Sequence, residues 1–123
     1  NSNNFLNYWK TNMIVDYDIE KIVQREQDNY NFIHLYKIDN CWCAFERSAF
    51  YLFSTSSVDI ILKVEHLQED CPLLFAVVNS LNEVRRQYNF HIDVVEESDE
   101  EIIVSCNVRC KGFFLWRNNM VAT

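Results

Sequence analysis

An α/β (α+β) fold is predicted: a mixed sheet of four or more strands flanked by three to four helices, in the order helix, strand, helix, strand, helix, strand, strand, helix. Three observations predict it. Short apolar runs rich in β-branched and aromatic residues recur at 32–38, 58–65, 90–94 and 102–108, as strands do. Between them lie stretches whose apolar residues repeat at helical spacing. Strands separated by helices require crossovers and some parallel pairing, with an antiparallel hairpin at one side.

Each element has its own warrant. Residues 16–28 read as a helix, with Asp16 or Asp18 as cap and Ile19, Ile22 and Val23 as its apolar stripe. The run 32–38 is apolar on both faces, the mark of a central strand, and Asp39-Asn40 is a turn signal. Strand parity fails over 41–54, whereas Trp42, Phe45, Ala49, Leu52 and Phe53 form a helical stripe, so a helix is expected there. Alternation of Val58, Ile60, Leu62 and Val64 with Asp59, Lys63 and Glu65 gives a half-buried strand. Cys71-Pro72 opens what reads as the clearest helix, because proline suits the first helical position and Leu74, Val77, Val78, Leu81, Val84 and Tyr88 follow at helical spacing. Phe90, Ile92 and Val94 form a strand, 96–101 an acidic hairpin loop, and Ile102, Val104, Cys106 and Val108 its partner, ended by Gly112. The segment 113–121 is a short helix or an extended docking arm.

The 123 residues suffice for one domain, 1–123, with an irregular arm at 1–15 and a C-terminal apolar segment at 113–123. At 49% apolar and 15% aromatic, the chain has ample material for a core. No apolar run approaches the ~20 residues that span a bilayer, so no membrane partner is expected. The start, Asn1-Ser2-Asn3-Asn4, has no signal-peptide pattern and no Met, which suggests a trimmed or processed chain. Eighteen acids against eleven bases leave a net charge of −7, which disfavours nucleic acid without excluding a local basic patch. Five cysteines at irregular spacing read as reduced cytoplasmic thiols rather than a disulfide framework. A single glycine, Gly112, excludes phosphate-cradling loops, dinucleotide fingerprints and nucleophile elbows.

Candidate chemistry is sparse. Cys41-x-Cys43 and Cys106-x-x-x-Cys110 could supply four thiolates to zinc, but neither has a zinc knuckle's two-residue gap, and Cys106 falls on the apolar side of its strand. Cys71, at an expected helix start, is the best-placed thiol for pairing with His34, His66 or His91, but an inert buried thiol beside a structural proline is the favoured reading. The acids Glu96, Glu97, Asp99, Glu100 and Glu101 suit a solvated turn or a contact with a basic partner. Asn79, Asn82, Arg85 and Arg86 suit an ordinary polar helix face, or contacts to phosphates and base edges. Phe113, Phe114, Leu115, Trp116, Met120 and Val121 exceed what so short a helix can bury, so Phe113, Phe114, Trp116 and Met120 are candidate protein-interface residues, with self-association the simplest use. No catalytic residue, metal ligand or cofactor is assigned. A non-catalytic binding domain is expected.

The run Ile33-His34-Leu35-Tyr36-Lys37-Ile38-Asp39-Asn40-Cys41-Trp42-Cys43-Ala44-Phe45-Glu46-Arg47-Ser48-Ala49 resembles the entry of the N-terminal domain of the MutS mismatch-repair family. Leu35, Tyr36, Lys37, Phe45 and Ala49 carry the match, with the helix from Asp16 before them and a Pro-led helix and strand after. The similarity spans roughly residues 16 to 97 and implies a MutS N-terminal-like fold with DNA as a possible partner. That family reads a mismatch with a Phe wedge and a Glu two residues on; Cys41 and Cys43 stand there, so the reading pair is missing. Trp42 keeps an aromatic able to stack on a base, and Lys37, Trp42, Arg47, Arg85 and Arg86 are the candidate nucleic-acid contacts. The long expected helix with Asn79 and Asn82, followed by a hairpin, is also similar to small secretion-chaperone-like domains, which dimerise and hold partner proteins. A strand over 41–54, in place of the expected helix, would favour this alternative.

Overall fold

The computed structural model describes residues 19–38, 40–55, 60–68, 71–78, 81–82, 92–106 and 111–122. The expected arm at 1–15, Arg85, Arg86 and Cys110 lie outside them. The described elements are α1 (Ile19–Gln27), β1 (Phe32–Ile38), β2 (Cys41–Phe45), α2 (Arg47–Thr55), β3 (Ile61–Gln68), β4 (Cys71–Val78), β5 (Ile92–Glu97), β6 (Glu101–Cys106) and α3 (Phe113–Ala122). The six strands form one sheet in the order β3-β4-β2-β1-β6-β5.

Every pairing in that sheet is antiparallel. The expected parallel pairing is therefore corrected, and with it the alternating order of helices and strands. Three consecutive hairpins, β1-β2, β3-β4 and β5-β6, are joined side by side through the β2–β4 and β1–β6 pairings.

Two misread segments account for the difference. Residues 41–45, expected as the start of a helix, are strand β2, and the helix begins only at Arg47. Residues 71–78, expected as a Pro-led helix, are strand β4; beyond them Leu81 and Asn82 are helical and 83–91 lie outside the described residues. Both strands are central, with β2 between β1 and β4, and β4 between β2 and β3. A strand covered on both faces is apolar at every position and loses the alternation that would identify it. Pro72 is tolerated because it is the second residue of its strand.

Helices cover both faces of the sheet. On one, α2 lays Ala49, Phe50 and Leu52 onto Ile33, Leu35, Ala44, Ala76, Val78, Ile102 and Val104, and Phe113 of α3 joins this cluster. On the other, Ile19, Ile22 and Val23 of α1 pack on Tyr36, Ile38, Cys43, Phe45, Leu73, Phe75 and Val77. The odd residues of β1 thus serve one core and its even residues the other, as strand geometry dictates. Edge strands β3 and β5 each carry a register shift, at His66/Gln68 and Val94/Glu96, which discourages further pairing.

Helix α3 turns Phe113, Trp116, Arg117, Met120 and Val121 inward, at the i, i+3, i+4, i+7, i+8 spacing of one helix face, and leaves Phe114, Leu115, Asn118, Asn119 and Ala122 outward. Gly112 precedes it with φ +92° and no atom within 4 Å of where a Cβ would sit. Gly112→Ala is therefore expected to cost roughly 1–2 kcal/mol through backbone conformation alone. Thermal denaturation checks this; no change would mean the backbone relaxes freely at that position.

Candidate functional site: a cleft between helices α1 and α3

The chain changes from strand to helix at Glu46, and most of the buried polar chemistry gathers there. Glu46 adopts φ +49°, the left-handed region that ends β2 sharply. Its backbone N–H continues the sheet ladder to the Leu74 carbonyl at 2.8 Å, while its own carbonyl accepts the Phe50 N–H at 3.0 Å and starts α2. That leaves the Leu74 N–H without a backbone acceptor. The Glu46 carboxylate supplies one at 2.8 Å, standing in for the carbonyl that went to the helix.

The same substitution occurs on the other side of β2. As β2 leaves β1, the His34 N–H donates to the Ser48 hydroxyl at 3.0 Å. Ser48 in turn donates its hydroxyl to Glu26 Oε2 and its backbone N–H to Glu26 Oε1, both at 2.7 Å. A carboxylate from α1 thus caps α2, as expected where free amides and a helix dipole favour negative charge. Asn29 completes the network, its Nδ2 lying 3.0 Å from both Glu26 Oε1 and Ser48 Oγ and its carbonyl accepting the Tyr51 hydroxyl at 2.7 Å.

Glu26 is 1% exposed. Burial pushes its pKa up to about 7, against the hydrogen bonds from Asn29 and Ser48 that pull it down. Burial likewise pushes His34 down to about 4, helped by the charge of Arg25, and its Nδ1 has no hydrogen-bond partner among the described residues. These two groups act oppositely on stability. The raised Glu26 stabilises the fold below pH 4.5, and that contribution is lost as pH rises toward 7. The lowered His34 stabilises it above pH 6.5, and that contribution is lost as pH falls toward 4. Each slope is worth about 3 kcal/mol over its window. Stability is therefore expected to vary little between pH 4.5 and 6.5. Glu26→Gln should uncover a rise with pH, and His34→Gln a fall, in urea titrations at several pH values. Parallel profiles for all three proteins would refute the assignment.

Beside this network a cleft of about 930 Å3 opens between α1 and α3, within the size range of ligand sites. Its apolar lining is Ile19, Val23, Pro72, Leu73, Phe113 and Phe114; Glu20, Gln24 and Gln27 line the α1 side, and Glu26, Glu46, Arg47 and Arg117 also reach it. Arg117 pairs with Glu46 through both guanidinium and carboxylate and donates to the Pro72 carbonyl at 2.9 Å, fastening α3 to the sheet. Arg47 stacks instead: its guanidinium carbon lies 4.7 Å from the Phe113 ring centroid, 5.1 Å from Phe114 and 5.2 Å from Tyr30.

The candidate residues separate into groups. Lys37 and Trp42 are cross-strand partners on β1 and β2; Lys37 is exposed and Trp42 half-buried against the α2-side core. Arg47 lies beyond the opposite end of β2, in the cleft. Of the interface candidates, Phe113 is buried against Phe50 at 5.7 Å, Trp116 is half-buried against Phe50 and Phe53, and Met120 is half-buried. Phe114 is 66% exposed, beside Leu115 at 70%. Cys71 opens a strand, so the helix N-terminus expected to activate its thiol is absent. Cys41 and Cys43 pack with the α1-side core and Cys106 with the α2-side core, so the sheet stands between them. Burial, reinforced by neighbouring Cys41, pushes the Cys43 thiol up to about 12. Among the described residues no three His, Cys, Asp or Glu side chains converge on a metal position, and no helix is long and apolar enough to cross a membrane.

Sequence reasoning passed over Glu26, Asn29, Glu46 and Ser48. A signal existed for the first, since Glu26 extends the apolar stripe of Ile19, Ile22 and Val23 and so had to face the core. Asn29, Glu46 and Ser48 carry no such mark. No family model, curated protein or solved structure matches the chain.

Proposed function

We propose that the chain is a non-catalytic binding domain that receives an apolar segment of a partner protein in the cleft between α1 and α3. The exposure of Phe114 and Leu115 beside that cleft carries this reading. Neighbouring large apolar side chains left in water, next to a concave apolar surface, are a usual mark of an interface. The Glu26 carboxylate, although its pKa is raised, has both oxygens taken by Ser48 and Asn29 and is closed to solvent. Its role is to hold α2.

Panning a random peptide library on the full chain tests the reading. Enriched peptides are expected to bind the wild type and to shift amide resonances of α1 and α3. They should lose binding to the Phe114→Glu, Leu115→Glu double variant, which alters only exposed positions. Absence of enrichment, or equal binding to the variant, would overturn it.

A second reading keeps the resemblance to the MutS N-terminal domain and has the chain touch DNA. It is supported by Lys37 and Trp42 being cross-strand partners, a cation beside an aromatic ring. Electrophoretic shifts with matched and mismatched duplexes at two salt concentrations test it. No salt-sensitive binding at micromolar protein would remove it.

A further inference from the structure

We infer that the segment docking between α1 and α3 is a peptide that sets a single carboxylate among its apolar side chains, and that Arg47 receives that carboxylate. This rests on the reading of the cleft as a partner's docking surface. Three arginines are described, and two have their donors engaged. Arg25 donates to the Tyr36 hydroxyl at 2.9 Å and lies 3.8 Å from Glu101, and Arg117 bonds Glu46 and Pro72. Arg47 differs. Its contacts among the described residues are the rings of Tyr30, Phe113 and Phe114, and it has no hydrogen bond or ion pair there.

Aromatic rings engage a guanidinium through its face and use none of its five N–H donors. The three rings hold the Arg47 guanidinium within a few ångströms, so little conformational freedom is left to lose on binding. A planar cation held in this way, half-buried at an apolar cleft, suits bidentate pairing with a carboxylate. The surrounding charges limit the ligand further. Glu46 is neutralised by Arg117, while Glu20 lies exposed on the α1 wall and the chain as a whole carries −7. An acidic tract or a polyphosphate would be repelled. One carboxylate flanked by apolar residues meets both requirements, the cation at Arg47 and the apolar surface of Ile19, Val23, Leu73 and Phe114.

The peptide panning supplies the test once it is repeated on Arg47→Met and Arg47→Lys, with thermal denaturation confirming that both are folded. Peptides enriched on the wild type are expected to share one Asp or Glu, or a free C-terminus, next to apolar residues. Changing that acid to its amide, or amidating the C-terminus, identifies which carboxylate is used and should weaken binding about tenfold. The acid and amide forms should bind Arg47→Met equally, and Arg47→Lys should keep part of the preference. If the wild type enriches apolar peptides with no acidic preference, or the preference survives in Arg47→Met, the inference falls while the docking surface stands. If no peptide binds, both fall. Binding of dodecanoate without any peptide would assign the cleft to a small amphiphile and overturn the inference too.

Discussion

Glu26→Ala is expected to destabilise the fold by about 3–5 kcal/mol, a large part of the whole stability of a domain this size. The side chain is fully buried, so some packing is lost, but most of the cost lies in what it leaves behind. The Ser48 N–H and hydroxyl lose their acceptor, whereas the Asn29 amide keeps the Phe32 carbonyl and the Ser48 hydroxyl. Both Ser48 groups are buried, and each unmet buried group costs about 1–3 kcal/mol, less whatever water regains through the cleft. Because Ser48 also receives the His34 N–H, the damage extends from the helix start to the sheet. Thermal denaturation should show a fall of roughly 10–20 °C. Glu26→Gln keeps an acceptor for Ser48 and Asn29 and should cost only about 1–2 kcal/mol at neutral pH. A loss below about 1 kcal/mol for alanine would show that the network does not hold α2.

Arg117→Met is the second large effect, at about 2–3 kcal/mol. Methionine preserves most of the aliphatic stem, so the loss is that of the charge and its bonds to Glu46 and Pro72. Removing one partner of a buried pair typically costs about 3–5 kcal/mol, and the value is reduced here because the Arg117 side chain is 24% exposed. The Glu46 carboxylate would then keep only the Leu74 N–H among its bonds described above, at a residue already held at φ +49°. The effect should be local first. Hydrogen exchange ought to rise across 113–122 before it rises in β1 or β2, because Phe113 and Trp116 on Phe50 remain as the anchor of α3. Uniform exchange over the whole domain would contradict this. The double variant Glu46→Gln, Arg117→Met should cost less than the sum of its singles, since no uncompensated charge is left buried.

Much of the architecture was legible because it rests on local chemistry. The bounds of β1 follow from its apolar run, and the hairpin of β5 and β6 from acids placed between two apolar runs. The amphipathic stripe of α1 was equally plain, whereas the segment after Gly112 fits a short helix or an extended arm from sequence, and the structure makes it a helix. What failed was the middle of the sheet. Trp42 and Ala44 face one core while Cys43 and Phe45 face the other, and the same holds for Ala76 and Val78 against Phe75 and Val77. Apolar residues at every position satisfy helical spacing as readily as strand spacing, so periodicity carried no information there. The site was less legible still. Phe114 was visible as excess apolar surface, but the outward turn of Leu115, the capping role of Glu26 and the stacking of Arg47 depend on which elements meet in space. No spacing within one segment encodes that.

The three-hairpin plan also bears on how quickly the sheet can assemble. Each hairpin closes a short loop, as in the pairing of Ile38 with Cys41, and such events take microseconds. The β1–β6 seam is different, for it joins Phe32 to Ser105 and Tyr36 to Glu101 across most of the described chain. Contacts so distant in sequence repay their loop entropy late. Substitutions such as Ile102→Val along that seam are therefore expected to speed unfolding while leaving the folding rate nearly unchanged, and changes inside β1 and β2 should slow folding itself. On this view the seam between the first hairpin and the last governs how long the folded domain persists; it lies apart from the cleft and meets the polar network at Phe32 and His34.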